Sequence, residues 1–283
     1  RRLRGEVAFT FEEVSLISQH LGISLDKIVG RRMLNDTMFD LNLLHTGDPI
    51  ESYYEILVRY AKLFDLLRDD PTASVATASN LIPFTFYSPY ECLSKFRLGR
   101  WIYHHGKMKP PASLSDLQVP DKVPQMHWKL SASIRQLSHT SFIWDYNIFR
   151  SIVKEIRYFA GLDLLSAEDV RNMKKELGLL LSELEAVTMT GEFSKGHSLA
   201  IYLSDINFEA TYTYVEKGDF QACLFRVYSI NSMDSQNPRM CNIQKNWIQS
   251  LKRHSTLISQ SSEIQRRQFF NEQREIVESL QEA

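Results

Sequence analysis

The chain has 283 residues, enough for two domains or for one large domain with an appendage. A hydrophobic fraction of 43% allows a real core, and a net charge of −1 excludes a molecule that binds polyanions through its overall charge. Affinity for nucleic acid would have to come from a local basic face.

The first elements lie in residues 1–30. A basic end, Arg1, Arg2 and Arg4, is closed by Gly5. Thr10 followed by Glu13 is a capping box, so a helix is predicted from Phe11. Phe11, Val14, Ile17 and Leu21 recur at helical spacing and predict one buried stripe. Gly22 stops this helix, and Ser24 caps a short second one holding Leu25, Ile28 and Val29.

This order resembles the lambda-repressor-like (Cro/CI-type) helix-turn-helix family. Leu3-Arg4-Gly5 matches the end of a recognition helix. Phe11 to Gly22 matches the helix that follows, and Ile23-Ser24-Leu25-Asp26 matches the closing pattern. The resemblance covers roughly a tenth of the chain. It implies a recognition helix in the major groove, usually in a dimer on paired half-sites. It also implies that Arg1, Arg2 and Arg4 contact DNA phosphates, adding affinity and salt dependence rather than base choice. With no Met at position 1, the scaffold helix, the turn and the start of the recognition helix are expected to lie before Arg1.

Residues 31–47 read as a charged connector. Asp48-Pro49-Ile50-Glu51 is a clean start signal for a helix: a cap, a proline at the first helical position, and a glutamate completing the box. That helix is expected to bury Ile50, Tyr53, Tyr54, Leu57, Ala61 and Phe64 and breaks near Asp70-Pro71. Residues 72–87, with Pro83 inside, suit an edge strand or extended loop. A helix is predicted over about 89–105, a proline-rich surface loop over 107–124, and helices over 125–138, 142–160 and 166–189. Ser166 and Asp169 sign the last of these as a cap pair.

At Gly196 the period changes from helical to alternating. Leu199-Ile201-Leu203, Phe208 to Tyr214 and Gln221 to Val227, with the Glu216-Lys217-Gly218-Asp219 turn, read as an antiparallel meander. Helices over 240–254 and 262–281 end the chain. The expected fold is α+β and mostly helical. Its C-terminal half carries a short antiparallel sheet of about three or four strands covered by helices. The expected organisation is the helix-turn-helix remnant at 1–30, the connector at 31–47, and a sensor or dimerisation domain at 48–283, helical over 48–191 and with sheet plus helices over 196–283.

Candidate chemistry is sparse. His104-His105 sits where a helix ends, and adjacent histidines point about 100° apart, which suits a cap at the negative dipole end better than a shared metal. No metal-ligand spacing, nucleophile elbow, phosphate-binding glycine loop or dinucleotide fingerprint occurs, so no catalytic residue, metal or cofactor is assigned and the chain is read as a non-enzyme. Cys92, Cys223 and Cys241, far apart and odd in number, argue against a disulfide framework and for the cytoplasm. No apolar run is long enough for a membrane span. The hydroxyl-rich run into the last helix makes Ser259, Ser261, Ser262, Arg266 and Arg267 a candidate effector or anion site, against a plain serine-rich cap with Arg267 paired to Glu263. Trp101, Tyr103, Trp128, Trp144, Tyr146 and Phe149 suit either a core or a ligand pocket.

The reading is a DNA-binding transcriptional regulator, a homodimer of the bacterial type, whose C-terminal domain senses an unidentified small molecule, dimerises, or both. The alternative is a non-enzymatic protein-interaction or small-molecule-binding module in which residues 1–30 are only a helical appendage.

Overall fold

The computed structural model describes residues 4, 7–21, 39–41, 47–105, 113–227 and 229–280. The chain divides into two units, Arg1–Met38 and Phe39–Ala283. In the first, the described helix is α1, Phe11–Leu21. Its capping box forms: the Glu13 N–H donates to Thr10 Oγ1 at 3.3 Å, and the Thr10 N–H donates to Glu13 Oε2 at 2.9 Å. The expected buried stripe does not: Phe11 is 74% and Ile17 38% exposed, and Val14 is only half-buried. The helix expected after Ser24 lies outside the described residues.

The second unit is built on a nine-stranded sheet. Its strands are β1 (Asp40–Leu41), β2 (Ser74–Ser79), β3 (His139–Asp145), β4 (Glu192–Ser194), β5 (His197–Ser204), β6 (Tyr212–Lys217), β7 (Phe220–Val227), β8 (Asn231–Ser235) and β9 (Ser255–Leu257). The helices are α2 (Pro49–Leu67), α3 (Phe84–Tyr87), α4 (Glu91–His105), α5 (Lys122–Arg135), α6 (Arg150–Ala160), α7 (Ala167–Thr190), α8 (Pro238–Arg253) and α9 (Glu263–Glu278). The spatial order is β1-β8-β7-β6-β2-β3-β5-β4, with β9 also on β5.

This corrects the expected short antiparallel sheet of three or four strands. The sheet is mixed: β2, β3 and β5 run parallel, with Val75 beside Thr140 and Thr140 beside Leu199. The other pairings are antiparallel. Two of the parallel strands lie where an edge strand or extended loop, and in part a helix, were expected. Residues 72–87 contain β2, which is central rather than edge because Pro83 falls beyond its end and starts α3. Residues 142–160 divide into the end of β3 and α6. Strand β3 is buried at every position from Thr140 to Asp145, so it lacks the alternation that marks a half-wet strand. Parallel neighbours need long crossovers, which α3 to α5 supply between β2 and β3, and α6 to β4 between β3 and β5. Of the expected three-strand meander only the β6–β7 pair forms, continued by the unexpected β8, whereas β5 pairs with β3 rather than joining it.

Period-two alternation assigns the two faces. Val75, Phe142, Trp144, Ile201, Val215 and Leu224 join the larger core, with α2 to α7 and α9. Ala78, Ile143, Tyr214 and Cys223 turn to the opposite face, where Cys241, Ile248 and Leu251 of α8 cover them.

Local chemistry explains the helix ends. Asp48 accepts from the Ile50 N–H at 2.8 Å with Pro49 leading α2. Asn237 does the same for α8 from the Arg239 N–H at 2.9 Å. At α7 both halves of the Ser166/Asp169 box form, and Gly191 closes the helix at φ +68°. No described helix is long and apolar enough to cross a membrane.

Candidate functional site

The larger core is not completely filled. Between α2, the start of α3 and the sheet lies a cavity of about 730 Å³ of empty space, counting the solvent at its mouth. Its walls follow from the elements just described. Helix α2 brings Tyr60, Leu63 and Phe64 to it, one turn apart, and α3 brings Phe84 and Thr85. The sheet floor comes from the alternate residues of β2, β6 and β7 that face α2: Thr77, Val215 and Leu224 among them. Most of that space is open to solvent and the cavity proper is about 90 Å³; its mostly apolar lining with few polar groups is what small-molecule pockets share.

The polar groups form a row on the floor. Thr77 and Thr213, opposite each other across the β2–β6 ladder, share a hydroxyl hydrogen bond of 3.1 Å. One step along, the Ser79 and Thr211 hydroxyls are 3.0 Å apart. Arg226, next in the same file on β7, closes the row and is the one charged residue in the lining. Its Nε donates to the Ser229 carbonyl at 2.6 Å. Burial, reinforced by the positive charge of Arg97, pulls its pKa down to about 10.

Arg97 lies on α4 and is 4% exposed. Its guanidinium carbon sits 4.5 Å above the centre of the Phe84 ring, a cavity wall, and 5.6 Å from that of Tyr87. It donates to the Tyr87 hydroxyl through one Nη, while Nε and the other Nη have no hydrogen-bond partner among the described residues. Beside it, the Tyr53 hydroxyl and His127 Nε2 are 2.9 Å apart. Burial foremost, then the charge of Arg97, pushes the His127 pKa down to about 4, so the imidazole is neutral at pH 7. Burial raises the Tyr53 hydroxyl far above its ordinary value. The interior beside the cavity therefore holds fixed positive charge and neutral hydroxyls.

The residues singled out in the sequence fall elsewhere. Arg4 is exposed; Arg1 and Arg2 lie outside the described residues. The serine-rich run before α9 is brought together, but its groups are turned to holding the backbone. Ser259 Oγ accepts from the Ile201 N–H at 3.0 Å, and Ser261 Oγ donates to the Leu257 carbonyl at 2.8 Å. Arg266 donates through Nη1 to the carbonyls of Ile258 and Ser261 at 3.0 and 3.1 Å. Ser262 makes no side-chain cap, and Arg267 lies 3.9 Å from Glu263 on the surface. Of the aromatics, Trp101, Trp144 and Phe149 are buried in the core and Trp128 is 63% exposed; none of the six lines the cavity. His105 ends α4 with Nδ1 2.8 Å from the Trp101 carbonyl oxygen. No group of three potential metal-ligating side chains gathers among the described residues.

Sequence reasoning missed Arg97, Arg226 and the hydroxyl row. Arg226 does carry a signal: it continues the inward file of Ala222 and Leu224 in a strand whose other file holds Cys223 and Phe225. Cys223 and Cys241, distant in sequence, also meet, both thiols lying against the Ser235 carbonyl at 3.4 and 3.6 Å.

No protein-family model matches the chain, and comparison with curated proteins and solved structures likewise finds no match.

Proposed function

We propose that the chain is a ligand-responsive DNA-binding regulator, in which the Phe39–Ala283 unit senses a small molecule and residues 1–30 belong to a helix-turn-helix module. The observation that carries the sensing half is the cavity between α2 and the sheet, apolar with a short polar row and one arginine in its wall. What supports the DNA-binding half is the ordered match from Leu3-Arg4-Gly5 to Leu25-Asp26, together with the Thr10/Glu13 cap that starts α1. The exposed apolar side chains of α1, Phe11 and Leu16, suit a helix that packs against a further element or a second copy. In this reading the protein works as a cytoplasmic homodimer, with Arg1, Arg2 and Arg4 on DNA phosphates.

The test is a titration of the full chain with its own upstream DNA and with random DNA, between about 50 and 200 mM salt. A component specific to the upstream DNA that survives the higher salt supports regulation. Identical salt-sensitive decay on both DNAs removes the DNA-binding half. The cavity equally supports a small-molecule-binding module with residues 1–30 as an appendage, and that is the reading such a result would leave.

A further inference from the structure

A guanidinium taken out of water is costly unless an acid pairs with it. Elsewhere among the described residues the buried Arg266 answers this with the carbonyls of Ile258 and Ser261, and half-buried arginines answer it with acids. Arg59 pairs with Asp234, Arg135 with Glu183, and Arg274 with Glu185. Arg97, buried with two nitrogens unsatisfied, breaks this pattern, and Arg226, half-buried beside it, gives its Nε to a carbonyl rather than to an acid. Neither makes an ion pair among the described residues, and they are close enough for the charge of one to depress the ionisation of the other. The two nitrogens of Arg97 without partners sit at full burial. The neighbours are neutral: the Tyr53, Tyr60 and Tyr87 hydroxyls, the uncharged His127, and the Thr77/Thr213 and Ser79/Thr211 pairs. Two like charges held beside an apolar cavity, with no counter-charge supplied by the chain, are satisfied by an anion that the cavity admits.

We propose that the cavity binds a small amphipathic carboxylic acid, its hydrocarbon body among Leu63, Phe64, Val75, Phe142 and Leu224 and its carboxylate on Arg226. This rests on the reading of the cavity as a sensor site and names the chemical class it senses. The lining selects the class. A free phosphate would leave the apolar walls uncovered, and a neutral hydrocarbon would leave the arginines unanswered. A carboxylate with a short aliphatic body meets both, because the flat guanidinium accepts it in a two-pronged hydrogen bond. Arg97, sharing the Phe84 ring with the cavity, strengthens the positive potential where that carboxylate sits.

Calorimetry on the full chain with octanoate, octanol and inorganic phosphate tests this. Octanoate is expected to bind at least about tenfold more tightly than octanol, and phosphate not measurably. Arg226→Gln is expected to erase the preference for octanoate while octanol affinity stays unchanged. Leu224→Trp, which fills the cavity, is expected to abolish both. If Arg226→Gln is unfolded by circular dichroism, Arg226→Lys carries the test, with an octanoate preference between those of the wild type and octanol. Equal affinity for octanoate and octanol overturns the anion assignment and leaves a hydrophobic sensor. Octanoate bound undiminished by Arg226→Gln, or not bound at all, also overturns it, and octanol binding abolished by Leu224→Trp then judges the cavity as a binding site by itself.

Discussion

The guanidinium carbon of Arg97 lies over the ring of Phe84, 4.5 Å from its centre, one on the interior of α4 and the other on the wall of the cavity. The contact joins a buried charge that has no ion pair among the described residues to a wall of the cavity through a single side chain. A cation over an aromatic face recovers part of the lost hydration, on the order of 2 kcal/mol when water is excluded. It does not satisfy the two nitrogens left without acceptors.

That deficit makes a prediction about stability. Arg97→Met keeps the apolar stem and removes the uncompensated charge, so the ligand-free variant is expected to gain about 1–3 kcal/mol in urea unfolding. The same substitution should weaken octanoate binding. A loss of stability instead would mean that the Tyr87 hydrogen bond and the ring contacts outweigh the burial of the charge, and that Arg97 is a structural residue.

Gly191 ends α7 at φ +68°, and a Cβ there would come within 2.5 Å of Gln260 Cγ. Gln260 cannot simply swing away, because its Nε2 donates to the Thr190 carbonyl at 2.7 Å. Gly191→Ala should therefore cost about 1–3 kcal/mol from left-handed strain and displacement of the glutamine. Adding Gln260→Gly should restore part of the loss in thermal unfolding. A neutral Gly191→Ala would show that the loop after α7 relaxes freely.

How much of this was legible differs by element. Asp48-Pro49 and Ser166-Asp169 announced α2 and α7 because capping is a local transaction, complete within four residues. Of the parallel strands, β5 announced itself by alternation at Leu199-Ile201-Leu203, but the central place of β2 and the existence of β3 were not legible, for the opposite reason. Ser74–Ser79 is made of small and hydroxyl residues, and His139–Asp145 is covered on both sides, so neither shows the one-sided pattern that periodicity detects. The cavity could not be read at all, since it joins Tyr60 to Ser232 through the fold. Arg97 carries no local signal, because nothing in Phe96-Arg97-Leu98 says which side of α4 is inside.

Asp169 links α7 to the loop before α5. Burial alone would raise its pKa, but hydrogen bonds from the Ser166 hydroxyl and N–H, the Leu114 N–H and the Ser113 hydroxyl outweigh this and hold it below the ordinary 3.8. A carboxyl depressed on folding contributes stability that is present above its unfolded value and lost as pH falls through the folded one. Asp169→Asn should thus cost about 1–3 kcal/mol at pH 7 and flatten the acid side of the stability curve below about pH 4. An unchanged acid limb would place the acid sensitivity in other carboxylates.

His127 gives the opposite case, a base kept neutral. Its pKa falls from 6.5 to about 4 on folding, first because it is buried and then because Arg97 is near. Between these values the unfolded chain binds a proton that the native protein refuses, so stability rises with pH across that window. The native state should be most stable above pH 6.5 and lose about 1.4 kcal/mol per unit on acidification towards pH 4, as far as this residue is concerned. His127→Gln keeps a partner for the Tyr53 hydroxyl but cannot titrate, so its stability should be flat there after the fixed cost of the substitution. Urea unfolding of both proteins from pH 4 to 7 measures the difference in slope. Parallel curves would mean that His127 is protonated in the native state, and the interior beside Arg97 would then hold one more positive charge for an anion to balance.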